Sequence, residues 1–278
     1  MKQPLAPGLY VVATPIGNLS DLSPRAAETL ANASLVLAED TRVTARLLTH
    51  AGIKVPMRRY DDHSTDRDRA EIVERLSGEA VALVSDAGTP LISDPGYKLV
   101  REARVAGQEV HTIPGPCAAV AALTLAGLPT DRFLFAGFLP SKAKARGEAI
   151  AELAPIRATL VFYESGPRLA DSLGALADQM GDREAAVARE ITKLHEECVT
   201  GSLSQLAGRY ADSPPKGEIV IVVAPPTQQP EPSQADLDAA LGEALNRLSP
   251  SRAAAEVAQQ LDVPRKRAYA RALELSSK

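Results

Sequence analysis

Three loops of small residues, each directly after a β-like apolar run, constrain the fold of this chain more than any other feature. They occupy residues 14–18 (TPIGN), 85–90 (SDAGTP, continuing to DPG at 94–96) and 114–118 (PGPCA), after the apolar runs 9–13, 81–84 and 110–113. Glycine and alanine leave room for a ligand to approach the main chain. Because α/β proteins bind ligands at the carboxyl edge of the sheet, the loops predict a ligand site there.

The apolar runs alternate with helix-like segments. Strands are predicted at 9–13, 35–38, 81–84 and 110–113. Ser23 before Pro24 is typical of a helix start, and residues 66–76 place Ile72 and Leu76 on one face of a helix. This alternation predicts a largely parallel sheet that is covered on both faces.

A second α/β domain is predicted from Ala118 onward. Its strands are expected at 133–138, 159–163, 185–189, 197–201 and 218–223, and its helices at 144–153, 168–180 and 203–210. Pairing of the 197–201 strand with a neighbour predicts a more mixed sheet. The predicted domains are therefore 1–117 and 118–224, followed by a linker at 225–232 with four prolines in eight residues and a helical tail at 233–278.

The tail resembles a helix-turn-helix, with Pro264 suited to the first turn of its second helix. The predicted apolar seam consists of Ala254, Val257, Ala258, Leu261, Val263, Ala268, Tyr269 and Leu273. From residue 249 to the end, six basic residues face three acidic ones. Two interpretations stay open: a nucleic-acid contact through phosphates, or a solvated helical hairpin that caps the protein or mediates dimerisation.

Composition narrows the class of protein. The chain of 278 residues has a net charge of −4, no tryptophan and only 4% aromatic residues, which argues against an aromatic platform for nucleic acid. Its two cysteines are far apart, which favours a reducing compartment and hence the cytoplasm. Neither a signal peptide nor an apolar run long enough to cross a membrane is visible, so no membrane association is expected.

The loops lack the signatures of several common chemistries. There is no GxxxxGK[ST] or GxGxxG motif for phosphate, no histidine spacing for zinc, and no GxSxG elbow for a serine nucleophile. No metal site is therefore predicted. A ligand held by backbone groups and apolar walls remains, and an adenosine with a small zwitterionic tail fits that description.

The motifs resemble those of the tetrapyrrole methylase superfamily. The resemblance is carried by VATPIGNLSD (12–21), AEDTR (38–42), LVSDAGTPLISDPG (83–96) and IPGPCA (113–118), and is extended by FYES (162–165), AREITKLHEE (188–197) and KGE (216–218). More closely, the chain is similar to the ribosomal branch, the small-subunit rRNA 2′-O-methyltransferase I family. The match runs through nearly the whole chain in order.

The resemblance implies S-adenosylmethionine bound in a cleft between two α/β domains, and methyl transfer to a cytidine ribose 2′-hydroxyl in the decoding region of 16S rRNA in the small ribosomal subunit. It also implies a homodimer. The cofactor-binding residues implied by the family pattern are Pro15, Ile16, Asp86, Ala87, Gly88, Thr89, Ile92, Pro116, Cys117, Ala118, Tyr163, Arg189, Glu190 and Gly217. The tail residues expected to contact RNA are Arg252, Arg265, Lys266, Arg267 and Arg271.

A ribose hydroxyl is a poor nucleophile, so a base or a cation that lowers its pKa would help. The candidate catalytic residues are Glu190 and Lys193, with Glu197 and His63 behind them. Their spacing brings Glu190 and Lys193 together only if the segment is helical or sharply bent. The alternative roles are an RNA-phosphate or surface contact for Lys193, and an ion pair with Arg189 or Arg42 for Glu190.

Two other functions remain open at this stage. One is a tetrapyrrole C-methyltransferase of the same fold, which would not need a basic tail. The other is a ribosome assembly factor that binds the cofactor without catalysis, against which the intact loops argue.

Overall fold

The computed structural model describes residues 5–226, 233–261 and 263–276. The chain divides into two compact units, Met1–Pro226 and Thr227–Lys278. The first unit holds two five-stranded sheets, and the described part of the second unit is helical. The segment predicted as a linker at 225–232 lies outside the described residues, apart from Pro225 and Pro226.

The first sheet and the helices around it, here called the first lobe, form a parallel α/β arrangement with strand order β3-β2-β4-β1-β5. Its elements are β1 (Gly8–Val12), α1 (Pro24–Asn32), β2 (Leu35–Ala38), α2 (Thr41–His50), β3 (Met57–Arg59), α3 (Asp66–Arg75), β4 (Ala80–Val84), α4 (Tyr97–Val105) and β5 (Val110–Ile113). The four predicted strands and the helix start at Ser23 are confirmed.

Helices cover both faces of the first sheet, as expected for buried parallel strands. On one face, Leu9 and Leu83 pack with Ile72 near the end of α3 and with Leu99 of α4. The opposite face packs against α1 and α2. Because β1 lies between β4 and β5, the three small-residue loops leave adjacent strands at the same edge of the sheet.

The second lobe is built on a mixed sheet with order β6-β7-β10-β8-β9, in which β6 and β7 are parallel and the other neighbours antiparallel. Its elements are α5 (Ala118–Ala126), β6 (Phe133–Phe138), α6 (Ala143–Leu153), β7 (Thr159–Ser165), α7 (Leu169–Met180), β8 (Glu184–Arg189), β9 (Glu197–Ser202), α8 (Leu203–Ala211) and β10 (Glu218–Val223). The predicted mixed sheet is confirmed.

The two faces of this second sheet have different coverings. Phe162 is fully buried in a large core with α6, α7 and α8. The other face packs against α5 and against Ile16 from the first small-residue loop. Residues of the first lobe therefore touch the second sheet at the point where the loops lie.

The second unit is a three-helix bundle made of α9 (Gln234–Leu245), α10 (Pro250–Gln260) and α11 (Arg265–Ser276). The predicted seam is wrong at Tyr269 and Leu273, which are 42% and 46% exposed, whereas Ala268 and Ala272 are buried. The physical reason is the third helix: α9 contributes Leu237 and Leu241 to the core, and α11 turns its alanine face toward them. No described helix is long and apolar enough to cross a membrane.

Candidate functional site

A cavity of about 350 Å³ lies in the first unit, where the small-residue loops meet strands β7 and β10. This volume is typical of a small-molecule site. Of the residues predicted to bind a cofactor, those that line the cavity are Ile16, Asp86, Ala87, Gly88, Thr89, Ile92, Cys117, Ala118, Tyr163 and Gly217. The structure thus brings together parts of all three loops and of the second lobe.

Hydrogen bonds tie the three loops to each other. Thr14 N donates to Gly88 O at 2.8 Å, and Gly88 N donates to Thr14 O at 3.2 Å. The hydroxyl of Thr89 donates to Pro116 O at 2.9 Å and joins the second loop to the third. Gly88 has φ +82°, and a Cβ there would lie 3.2 Å from Ile16 Cγ2, so both conformation and space favour glycine. The wall of the cavity is therefore a backbone scaffold.

Tyr163 connects the second lobe to this scaffold. Its hydroxyl accepts a hydrogen bond from Ala119 N at 3.3 Å, at the start of α5. Phe135 and Phe138 pack edge-on against its ring, and burial raises the pKa of the phenol well above its usual value. The tyrosine therefore stays protonated and polar at one tip while its ring forms an apolar wall.

Carboxyl groups dominate the electrostatics of the cavity. Glu39, Asp86, Asp94, Glu164 and Glu218 all line it, and no lysine, arginine or histidine is among its described lining residues. Burial raises the pKa of Asp94 to about 6, with further increases from Glu39, Asp86 and Glu218. Burial, and then the nearby Asp86, also raises the pKa of Glu39. Such a cavity favours a cationic ligand.

Four of these acids, all except Asp86, were not predicted as site residues from the sequence. Asp94 stands in the continuation of the second loop, and Glu39 follows β2 directly. An acidic side chain at the carboxyl end of a buried strand is the signal that could have found them. Glu218, at the start of β10, carries no comparable signal because it comes from the other sheet.

The predicted catalytic pair Glu190 and Lys193 is brought together, but outside the cavity lining. Lys193 Nζ lies 3.0 Å from Glu190 Oε1. The segment is a sharp turn, in which Lys193 N donates to Glu190 O and both Glu190 and Thr192 have positive φ. Glu190 reaches the cavity only indirectly, because its carboxylate lies against Gly217.

The same turn contacts the first loop. Asn18 N donates to Thr192 Oγ1 at 3.1 Å. A Cβ on Gly17 would lie 2.7 Å from Lys193 Cγ, so the lysine stem runs across the glycine. Lys193 thus joins the two lobes beside the cavity.

Arg189, which the family pattern implied as a cofactor contact, is not among the residues that line the first cavity. Its Nε donates to Glu197 Oε2 at 2.6 Å, so this arginine is paired with Glu197, another candidate base, whereas Glu190 is paired with Lys193. Arg189 and Glu197 line a second cavity together with Arg209 and Lys216. Pro15 and Pro116 are not among the residues that line the first cavity, although Pro116 O accepts the hydrogen bond from Thr89.

The predicted RNA-binding residues of the second unit have different surroundings. Arg271 donates from Nε to Asp238 Oδ1 at 2.6 Å and also pairs with Glu274, so it holds α11 to α9. Arg265 and Lys266 line a shallow cavity with Ser251 and Tyr269. Arg252 is exposed on α10. No cluster of His, Cys, Asp and Glu that could hold a metal ion is found among the described residues.

Comparison with known proteins decides the family. The family model described as Tetrapyrrole (Corrin/Porphyrin) Methylases matches residues 8–207. The chain belongs to the tetrapyrrole methylase family. A further model, described as the RsmI C-terminal HTH domain, matches residues 231–276.

Relatives at high identity narrow this to one branch of the tetrapyrrole methylases. A ribosomal RNA small subunit methyltransferase I from Erythrobacter litoralis is 57% identical over 99% of this chain and 98% of its own length. The protein of the same name from Mesorhizobium japonicum is 48% identical over 98% of this chain and 94% of its own length. The resemblance found in the sequence motifs is confirmed.

Solved structures at low sequence identity share the fold of this chain. A diphthine synthase has a TM-score of 0.61 at 18% identity, covering 78% of this chain and 89% of the other. The uroporphyrin-III C-methyl transferase from Thermus thermophilus, complexed with S-adenyl homocysteine, has a TM-score of 0.55 at 20% identity, covering 77% of this chain and 96% of the other. At such identities the likeness establishes the fold and leaves the substrate open.

Proposed function

We propose that this tetrapyrrole methylase transfers a methyl group from S-adenosylmethionine to ribosomal RNA of the small subunit, at the 2′-hydroxyl of a cytidine ribose. The observation that carries the proposal is the cavity between the small-residue loops and the second sheet, in a chain 57% identical to a ribosomal RNA small subunit methyltransferase I. A ribosomal substrate also implies a location in the cytoplasm.

The described residues fit this cofactor. The close approach of Gly88 to Ile16 leaves backbone groups at the cavity wall, which suits the adenosine, and Ile92 offers an apolar surface. The carboxyl groups of Asp86 and Asp94 favour a positive charge. When bound, the cofactor supplies a methyl group on a positively charged sulfur. The protein's contribution is then to orient the acceptor hydroxyl and to take up its proton.

Transfer of labelled methyl groups tests the substrate. Small subunits that lack the modification are expected to accept label on a ribose, and tetrapyrrole precursors to accept none. Label on a tetrapyrrole would favour a C-methyltransferase. If the protein binds the cofactor but transfers no label to any RNA, the result would favour the alternative of a non-catalytic ribosome assembly factor.

The second unit is proposed to contact the RNA through Arg265, Lys266 and Arg267 of α11. Changing all three to Ala should weaken RNA binding without changing cofactor affinity. For a single-stranded target, the slope of log affinity against log salt should become shallower by about two, because three phosphate contacts are lost.

A matched control removes the same charge from the first unit. Lys98, Arg101 and Arg104 are exposed on α4 and are changed to Ala together. An equal loss of RNA affinity in this control would mean that net charge matters and that α11 has no special role.

The homodimer implied by the family pattern is proposed as well, and light scattering of the purified chain measures it.

A further inference from the structure

We propose that Asp94 is the catalytic base that accepts the proton of the acceptor hydroxyl. The inference rests on the proposed methyl transfer and assigns its proton acceptor. It differs from the pair that the sequence indicated, because Glu190 and Lys193 bind each other outside the cavity.

The backbone conformation around Asp94 holds its side chain at the wall of the cavity. Leu91 and Ser93 have φ of 74° and 63°, which is uncommon for residues other than glycine, and Gly96 has φ 133°. A Cβ on Gly96 would lie 2.8 Å from Leu83 Cδ2, so the loop returns tightly onto β4. Strained loops of this kind persist where the surrounding structure holds them, often at active sites. Here the result is a carboxyl group in the wall of the cavity.

The environment makes Asp94 more basic than an ordinary aspartate. Burial raises its pKa to about 6, the hydroxyl of Ser85 acts in the opposite direction, and Glu39, Asp86 and Glu218 raise the pKa further. The phenol of Tyr163 also faces this group. At neutral pH Asp94 is therefore mostly ionised, yet it holds a proton better than an exposed carboxylate does.

Three of the other acids of the cavity are less suited as a base. Glu164 is 2% exposed and accepts from Ser165 N and from the hydroxyl of Ser172 at 2.6 Å, which fixes it in the core. Asp86 accepts from Asp40 N at 2.9 Å and holds the loop after β2. Glu218 is exposed. Glu39 is the remaining acid, and it enters the experiment as a comparison.

The proposed step balances in atoms and charge. Asp94 takes the hydroxyl proton as the oxygen bonds to the methyl carbon; the carbon–sulfur bond breaks and its electron pair stays on sulfur. The carboxylate loses its negative charge and the sulfur its positive charge at once. Because charges are costly in a partly buried site, this neutralisation favours the products.

The experiment compares wild type with Asp94→Asn, Asp94→Glu and Glu39→Gln. Asp178→Asn, on the exposed face of α7, is the matched control. Methyl transfer to unmodified small subunits is measured from pH 5 to 8. Asp94→Asn should reduce kcat at least about 100-fold and abolish the rise through pH 6 of kcat/KM for the cofactor, which reports the enzyme before the cofactor binds. Asp94→Glu should retain a rise with a displaced midpoint, and Glu39→Gln should retain a rise.

Calorimetry supplies a readout that does not depend on turnover. At pH 6, binding of S-adenosylmethionine to the wild type should release up to about half a proton, seen as a dependence of the enthalpy on the buffer, because a nearby cation favours ionised Asp94. S-adenosylhomocysteine, whose sulfur is neutral, should release less. In Asp94→Asn the two ligands should release equal numbers of protons, whereas Asp178→Asn should keep the difference seen in the wild type.

The outcomes separate the inference from the proposed function. A wild type that binds the cofactor but labels no RNA contradicts the function. An active wild type with an equally active Asp94→Asn overturns the role of Asp94. So does a loss of rate that is explained wholly by weaker cofactor binding while the rise through pH 6 persists. If Asp94→Asn fails to fold, an unchanged pH profile in Asp94→Glu overturns it.

Discussion

The contact between Gly17 and Lys193 gives a sharp test of how the two lobes meet. Gly17 has no positive φ, so its backbone tolerates alanine. A Cβ there would lie 2.7 Å from Lys193 Cγ and 2.9 Å from Cε, whereas ordinary contact begins near 3.4 Å. The lysine stem must therefore move by roughly 0.7 Å or more, against its ion pair with Glu190.

The size of the effect follows from two opposing contributions. Overpacking typically costs about 1–3 kcal/mol, and the Lys193 side chain is 35% exposed, so the lower half of that range applies. Replacing glycine with alanine stabilises the folded protein by about 0.4–1 kcal/mol, because it reduces the conformational entropy of the unfolded chain. Gly17→Ala should thus lower the free energy of unfolding by about 1 kcal/mol in the wild type. In a Lys193→Ala background it should be neutral or slightly stabilising.

The assay is urea unfolding of the four proteins, followed by circular dichroism, with the two single variants and the double variant forming a cycle. We expect a coupling free energy of about 1–2 kcal/mol. Lys193→Ala alone removes a partly exposed ion pair and should cost less than about 1 kcal/mol. Effects that add within about 0.4 kcal/mol would refute the reasoning, since residues in contact should not behave independently.

Three further predictions use the same unfolding assay. Asp94→Asn should raise the free energy of unfolding above pH 6 by about 1–2 kcal/mol, because the folded state raises the pKa of Asp94 from 3.8 to about 6 and the effect is reduced for a half-buried group. The gain should shrink as the pH falls below 6 and vanish only well below pH 3.8, where the wild-type carboxyl is protonated in both states. Ser172→Ala should cost about 1–3 kcal/mol, because buried Glu164 loses a donor at 2.6 Å; no change would mean that this bond does not stabilise the core. Ser233→Ala should cost about 1 kcal/mol by removing the capping box with Asp236 at the start of α9, whereas Ser233→Asp should restore most of the loss.

Most of the fold was predictable because long apolar runs in the sequence indicate buried strands. The strands of both sheets were found within a residue or two, except β3. This strand has only three residues, Met57–Arg59, and lies at the sheet edge with two arginines, so it carries no apolar run. In the second unit the exposed Tyr269 was predicted inside because helix periodicity alone does not say how many helices share the core.

The sequence by itself determined the fold class, the family motifs and the loops of the ligand site, since small residues after buried strands must meet at one edge of a parallel sheet. Only the tertiary structure decided the chemistry of the cavity. Glu39 and Asp94 come from the first lobe and Glu218 from the second, and their proximity raises the pKa of Asp94. Spacing along the chain instead singled out Glu190 and Lys193, which bind each other. The protonation of a side chain depends on its burial and on its distances to other charges, and the local sequence predicts neither of these.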